Sequence, residues 1–218
     1  MVLPLPDLLP LAATGPIDTS DIAMAHTNSS DLDEIWRLVL PYLRVRANDL
    51  HLPIAVAYAE RLCVAHPEAD SKLVRVAVLL HDTGWARVDE EKIISEGFQT
   101  DDWRRADIRY EHERHGCDIA REILGELGYQ QSFIDDVVAI IDGHDTRKEA
   151  HSVEDALMRD ADRAWRFAGM GYAMSCAWFD QTPDFYADRL ESEIIPELLT
   201  EAGLAMAWAD LERYRSLL

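Results

Sequence analysis

The sequence has few positively charged residues. It contains 21 lysine and arginine residues against 41 aspartate and glutamate residues, which gives a net charge of −20. A protein that binds nucleic acid needs a basic face for the phosphates, so this composition argues against a nucleic-acid partner. It argues equally against binding to an anionic membrane surface. A small phosphorylated substrate remains compatible with the charge, because a metal ion can supply positive charge locally.

Cysteine and long apolar runs are scarce as well. The three cysteines, Cys63, Cys117 and Cys176, form no CxxC pair, which is typical of a reducing compartment. The N-terminal stretch MVLPLPDLLPLAATGP is apolar, but it lacks a basic region and prolines interrupt it, so it does not resemble a signal peptide. No apolar run approaches the roughly 20 residues of a membrane span. We therefore expect a cytoplasmic protein without a membrane anchor.

The sequence also lacks sustained strand alternation between hairpin turns. Apolar residues recur instead at spacings of three and four, as in the stripe of His112, Gly116, Ile119 and Ile123. We predict an all-α protein with an irregular N-terminal arm over residues 1–30. A single helical domain, a compact bundle, is expected over 31–218, with its motif core at about 45–170 and a C-terminal helical extension over 171–218.

The predicted helices begin at residues 30, 51, 71, 107, 132 and 152. Further helices are expected over 172–179 and 184–214, with a break at Pro183 and a kink near Pro196. Ser71 is expected to cap the third helix, and Gly84 to end it so that the chain can leave into a long loop over 83–105. The fifth helix is expected to reach residue 145 and to carry His144 on its buried face.

A series of polar residues falls on or beside these apolar stripes. In the stretch VAVLLHDTGW, residues 76–85, an adjacent histidine and aspartate lie at the end of an apolar helix. Three more histidines lie on other helices at gaps of about thirty residues. In an antiparallel bundle with helices of such length, residues about thirty positions apart can lie at the same height along the bundle axis. The side chains of this series could therefore meet at one point. Imidazole and carboxylate ligands suit iron, manganese, zinc or magnesium. Each residue could alternatively be a hydrogen-bonded polar group of the core. The series is His51, His81, Asp82, His112 and His144, followed by Asp160 or Asp162.

The last aspartate is ambiguous from periodicity alone. Helical geometry places Asp160 midway along the stripe of Val153, Leu157 and Ala164. Asp162 lies outside this stripe. The residue that is not a ligand is expected to cap a helix or to pair with a neighbouring arginine.

This pattern resembles the HD-domain superfamily of metal-dependent phosphohydrolases over roughly residues 45–170. His51 matches the isolated first histidine of the family, and the His81-Asp82 pair matches the dipeptide that names it. The Ala161-Asp162-Arg163-Ala164 context resembles that of the family's late aspartate, which favours Asp162 over Asp160. The segment HERHGCDIAREIL and the tripeptide GHD place His112 and His144 as the two extra histidines of members that hold two metals.

The resemblance implies one or two divalent ions per chain, with iron or manganese favoured and zinc, magnesium, nickel or cobalt possible. With two ions, Asp82 would bridge them. The implied ligands are His51, His81 and Asp162 for one ion, and His112 and His144 for the other.

The implied activity is hydrolysis of a nucleotide or other small phosphate ester by metal-activated water, with His81 and Asp82 as catalytic residues. Arg163 and Arg147 are the substrate-binding candidates, and Asp145 is a candidate proton shuttle. Trp85 departs from the family, because many two-metal relatives have lysine there. The alternatives are a di-iron oxygenase similar to inositol oxygenase and a non-enzymatic ligand-binding module. Nothing in the sequence predicts an oligomeric state.

Overall fold

The computed structural model describes residues 32–95 and 106–216. Within these ranges every regular element is helical, which confirms the all-α prediction. The predicted N-terminal arm over 1–30 and the predicted helix start at Ser30 lie outside the described residues. Among the helices that are described, none combines the length and the apolar character needed to cross a bilayer.

The chain runs through ten α-helices in these described ranges. A 3₁₀ turn, Leu40–Tyr42, follows α1, and the 3₁₀ segment His81–Arg87 follows α3. Another 3₁₀ turn, Trp165–Phe167, follows α7. The helices are α1 Asp33–Val39, α2 Asn48–Ala65, α3 Ser71–Leu80, α4 Glu90–Ser95, α5 Asp107–Glu126, α6 Gln131–Ile141, α7 Val153–Ala164, α8 Gly169–Phe179, α9 Pro183–Arg189 and α10 Glu201–Arg215.

The helix boundaries follow from local capping. Asp70, rather than the predicted Ser71, caps α3, because its carboxylate accepts hydrogen bonds from the amides of Lys72 at 3.0 Å and Leu73 at 3.1 Å. Ser152, where the sixth helix was predicted to start, caps α7, and its hydroxyl accepts a 3.2 Å hydrogen bond from the amide of Asp155. Helix α2 begins at Asn48, so His51 lies inside its first turns rather than at its start.

Helix α3 forms the centre of the main core. Residues 76–80 of α3 are fully buried, and the helix packs against α2, α6 and α7. A helix that is surrounded on several sides must be apolar around most of its circumference, which explains the unbroken VAVLL run. Burial of this helix fixes the position of the histidine and aspartate that directly follow it.

The C-terminal part is interrupted near Pro196, where a kink was predicted, but the interruption is longer than a kink. The chain there forms α9, a π-helical turn Leu190–Ile194, a 3₁₀ turn Ile195–Glu197 and α10. Pro196 lies in the break, where its missing amide hydrogen and its ring prevent a regular helix. These elements enclose a second apolar core around Phe167, Tyr186, Leu190 and Leu211.

The predicted role of Gly84 as the end of α3 is wrong. The chain passes directly from α3 into the 3₁₀ segment His81–Arg87, which contains Gly84. A Cβ atom at Gly84 would lie 1.9 Å from the carbonyl oxygen of His112 and 2.4 Å from the amide nitrogen of Gly116. Glycine is therefore required because the 3₁₀ segment presses its backbone against α5, and this contact sets His81 and Asp82 beside His112.

We predict that Gly84→Ala destabilises the fold strongly, by about 2–3 kcal/mol or more, because its methyl group would overlap backbone atoms that cannot yield as side chains do. Gly125→Ala is the matched control, since a Cβ there meets nothing within 4 Å. The control should be neutral or stabilising by up to about 1 kcal/mol, as expected for alanine in a helix. Urea unfolding of both variants checks this, and equal stabilities would contradict the close contact.

Candidate metal centre

The six residues of the main prediction converge in the interior. They come from five different segments of the helical framework, and each is at most 6% exposed. His51 belongs to α2, the His81-Asp82 pair to the 3₁₀ segment after α3, and His112 to α5. The other two are His144, in the turn after α6, and Asp162, in the last turn of α7.

One side of the cluster is formed by His51, His81 and two carboxylates. The Nε2 atom of His51 lies 3.1 Å from Oδ1 of Asp162, and its Nδ1 atom lies 3.2 Å from Oδ2 of Asp82. The Nε2 atom of His81 lies 3.3 Å from the same Asp162 oxygen. Ligand atoms of His51, His81 and Asp82 all lie within 4.8 Å of one another, which is close enough to share one ion.

The other side is formed by His112 and His144 around the same Asp82. The two imidazole Nε2 atoms lie 3.4 Å apart. Oδ1 of Asp82 lies 3.6 Å from Nε2 of His112 and 3.7 Å from Nε2 of His144. These three residues also have ligand atoms within 4.8 Å of one another. Asp82 therefore belongs to both groups and lies between them.

The imidazole tautomers show that this cluster suits cations. The Nδ1 atom of His81 lies 2.7 Å from the carbonyl oxygen of Val78, and Nδ1 of His144 lies 2.8 Å from that of Ile141. A carbonyl can only accept, so we assign the proton of each neutral ring to Nδ1, which leaves a lone pair on Nε2. Nε2 of His81, which is buried, has no hydrogen-bond partner among the described residues. Without a metal ion a proton can lie between such a nitrogen and the carboxylate, and, although burial lowers it, the hydrogen bond to Asp82 raises the pKa of His144 to about 10. In the neutral rings, lone pairs that face carboxylate oxygens are the arrangement that a metal ion satisfies.

The sequence prediction placed His144 on the face of a helix, and this is wrong. Helix α6 ends at Ile141, and Gly143 has a left-handed φ of +82° that turns the chain back towards the cluster. The turn is held by Glu113, whose carboxylate accepts bonds from the amides of Asp145 at 2.8 Å and Thr146 at 3.0 Å. Sequence reasoning missed Glu113, although a carboxylate directly after His112 was a visible signal.

The structure brings Asp162, and not Asp160, into the cluster. The carboxylate of Asp160 accepts hydrogen bonds from the amide of Leu199 at 2.7 Å and from the amide and hydroxyl of Thr200 at 2.9 and 2.7 Å. Asp160 thus ties α7 to the start of α10. The apolar stripe that favoured Asp160 correctly identified its burial but not what it contacts.

Trp85 is fully buried and contacts the cluster directly. Its indole nitrogen donates a 2.9 Å hydrogen bond to Oδ1 of Asp82, and its ring stacks on His112 with centroids 4.0 Å apart. The guanidinium of Arg46 lies 4.4 Å from the centroid of Trp85 and 3.6 Å from Oδ2 of Asp82. Trp85 therefore orients the shared carboxylate. Sequence reasoning did not identify Arg46, whose backbone has a φ of +52°.

The carboxylates of the cluster are strongly biased towards the ionised form. Burial alone would raise the pKa of Asp82, but His81, His144 and the other basic neighbours lower it well below its usual value. The pKa of Asp162 is lowered in the same way, mainly through His51 and His81. The pKa of Asp145 is lowered despite burial because Arg109 lies 2.6 Å away. A carboxylate held in this ion pair is poorly suited to the predicted proton-shuttle role.

The two arginines predicted to bind substrate have protein partners instead. Arg147 forms an ion pair with Asp155 and donates to the carbonyl of Glu149 at 3.1 Å. Arg163 donates to the carbonyl of Arg159 at 2.9 Å, and its Nε atom lies 3.4 Å from Glu197. These contacts give no support to a substrate-binding role for either arginine.

We predict that Asp162→Ala removes metal from the protein, whereas Asp160→Ala leaves the metal content unchanged and destabilises the fold. Loss of the three hydrogen bonds of Asp160 should cost about 2–4 kcal/mol. Elemental analysis combined with urea unfolding separates the two effects. Equal metal content in both variants would show that Asp162 is not a ligand.

Comparison with known proteins agrees with this geometry. A protein-family model described as HD domain matches residues 49–164, which is more than half of the 218-residue chain. No curated protein and no solved structure matches the chain significantly. The matched range begins at the first turn of α2 and ends with α7, so it contains all six clustered residues. The chain therefore belongs to the HD-domain family.

Proposed function

We propose that this protein is a metal-dependent phosphohydrolase that acts on a nucleotide or other small phosphate ester. The observation that carries the proposal is the position of Asp82 between two groups of histidines, with ligand atoms within 4.8 Å in each group. A carboxylate in this position can bridge two ions. Sites with two metals are well suited to phosphate esters, because they hold the attacking and leaving oxygens of a displacement.

The chain's own residues divide into two sets of ligands in this proposal. His51, His81 and Asp162 would hold one ion, His112 and His144 would hold the other, and Asp82 would contact both. Ions held by these residues would supply Lewis acidity, which lowers the pKa of water and polarises phosphate oxygens. Iron and manganese are the favoured ions for this ligand set, and zinc, magnesium, nickel and cobalt remain compatible with it.

The surrounding residues would orient the ligands. Val78 and Ile141 fix the imidazole tautomers of His81 and His144 through their carbonyl groups, so that both Nε2 atoms face Asp82. Trp85 fixes the Asp82 carboxylate by donating to Oδ1. Such outer hydrogen bonds commonly alter metal affinity by about 10–100-fold. The nearly complete burial of the cluster would keep bulk water away from the reacting group.

A second candidate is a di-iron oxygenase of the inositol-oxygenase-like HD type. The same six ligands would serve a di-iron pair, and the buried Trp85 occupies a position where a lysine would supply a cation for phosphate. Iron content near two per chain with oxygen consumption and no phosphatase activity would favour this candidate. A non-enzymatic HD module is less favoured, because all six positions of the cluster are filled by metal-ligating side chains.

We predict that Asp82→Asn abolishes phosphatase activity and lowers metal content together, since the amide cannot bridge two cations as a carboxylate does. The loss of activity should be about 100-fold or more. Activity is measured on p-nitrophenyl phosphate and a nucleotide panel, beside elemental analysis of each preparation.

The control is His115→Ala. His115 has a half-buried side chain that contacts Glu111 at 3.8 Å on the surface of α5, so this variant should keep both metal and activity. Full phosphatase activity in metal-depleted Asp82→Asn would refute the proposal.

A further inference from the structure

Arg159 is a buried arginine that lies beside the candidate metal centre. It lies on α7 three residues before Asp162, so the two side chains occupy neighbouring positions on one face of the helix. Arg159 is only 4% exposed. Its Nη2 atom donates to the carbonyl of Arg147 at 2.8 Å, but its Nε and Nη1 atoms have no hydrogen-bond partner among the described residues.

The charges around Arg159 do not compensate for its burial. Burial lowers the pKa of Arg159, and the neighbouring Arg163 lowers it further, whereas Asp155 raises it. Asp155 is already paired with Arg147 and accepts a 2.7 Å bond from the amide of His151. Asp145, the other carboxylate that acts on Arg159, is paired with Arg109 at 2.6 Å. Both of these Asp155 contacts use Oδ2, and Oδ1 of Asp155 has no hydrogen-bond partner among the described residues. Neither carboxylate satisfies the Nε and Nη1 donors of Arg159 by a hydrogen bond.

A buried guanidinium with unmatched donors costs stability unless something else satisfies it. The planar donors of arginine match the oxygens of a phosphate group, and a charge-assisted bond of this kind is about twice as strong as a neutral one. Asp145, which acts on Arg159, also lies 3.7 Å from Nε2 of His112. Because Arg159 lies about one helical turn before Asp162 on α7, an anion bound by Arg159 would lie on the side of this helix that carries Asp162.

We propose that Arg159 is the anion-binding residue of this site and that it holds the phosphate group of the substrate or product through its Nε and Nη1 donors. This inference rests on the proposed function for the identity of the anion. Arg159 is preferred to Arg147 and Arg163 as the substrate-binding candidate. Arg147 is paired with Asp155, and Nε of Arg163 lies 3.4 Å from the carboxylate of Glu197. Two of the three donor nitrogens of Arg159 have no hydrogen-bond partner among the described residues.

The test uses isothermal titration calorimetry of inorganic phosphate into the metal-loaded full chain. We expect Arg159→Met to weaken phosphate binding by about 10-fold or more, with unchanged metal content. Removing an unmatched buried charge should also leave the melting temperature of the phosphate-free protein equal or higher. Arg121→Met is the matched control, since Arg121 is exposed on α5 and pairs only with Asp118 at 3.1 Å. It should bind phosphate as the wild type does.

Phosphate affinity within twofold of wild type in Arg159→Met would overturn the inference, as would a wild-type protein that binds no phosphate. If a water molecule rather than an anion satisfies Arg159 by bridging it to Asp155, the phosphate affinity of Arg159→Met will equal that of the wild type. If Arg159→Met fails to fold, the same phosphate titration is carried out on Arg159→Lys. Weaker phosphate binding by folded Arg159→Lys supports the inference, because lysine lacks the forked donors, and wild-type affinity overturns it.

The same titration separates this inference from the proposed function. Wild-type protein that binds phosphate through Arg159 but hydrolyses no ester would refute the hydrolase alone. Protein that hydrolyses esters with an unaltered KM in Arg159→Met would refute the anion site alone.

Discussion

The structure depends on one buried carboxylate. Asp82 is 3% exposed and strongly biased towards its charged form, and an isolated charge in such a position would be prohibitively costly. Two groups of histidines, the indole N–H of Trp85 and the guanidinium of Arg46 all lie around it. No single one of these contacts explains so many basic groups facing one carboxylate. The two cations that we propose on either side of Asp82 would account for the two groups of histidines.

The fold provides this arrangement through close backbone packing. Burial of α3 on several sides carries the chain to His81 and Asp82, and the glycine contact between Gly84 and α5 brings them against His112. Glu113 accepts hydrogen bonds from the turn after α6 and so positions His144 in the cluster. The centre is thus assembled from segments far apart in sequence, and each segment is positioned by packing or hydrogen bonds that do not involve a metal.

Much of this could be predicted from the sequence, and the exceptions have physical causes. Helical periodicity identified the all-α class, and the spacing of the histidines identified the residues that meet. Periodicity failed for His144, because a turn begun by a glycine with positive φ, and not a helix face, directs this residue inward. It favoured Asp160 over Asp162, although both are buried and only tertiary contacts to Leu199, Thr200 and the histidines distinguish them. The arginines near the site could not be sorted from sequence at all, because their pairing partners come from distant segments.

The central claim is that these six residues hold metal ions, and metal content per chain tests it most directly. The measurement is elemental analysis of protein purified without chelator, repeated after incubation with manganese or iron and removal of the excess. We predict one or two ions per chain in the wild type, with two if Asp82 bridges both groups of histidines. A protein that contains no metal and takes up neither ion would contradict the account.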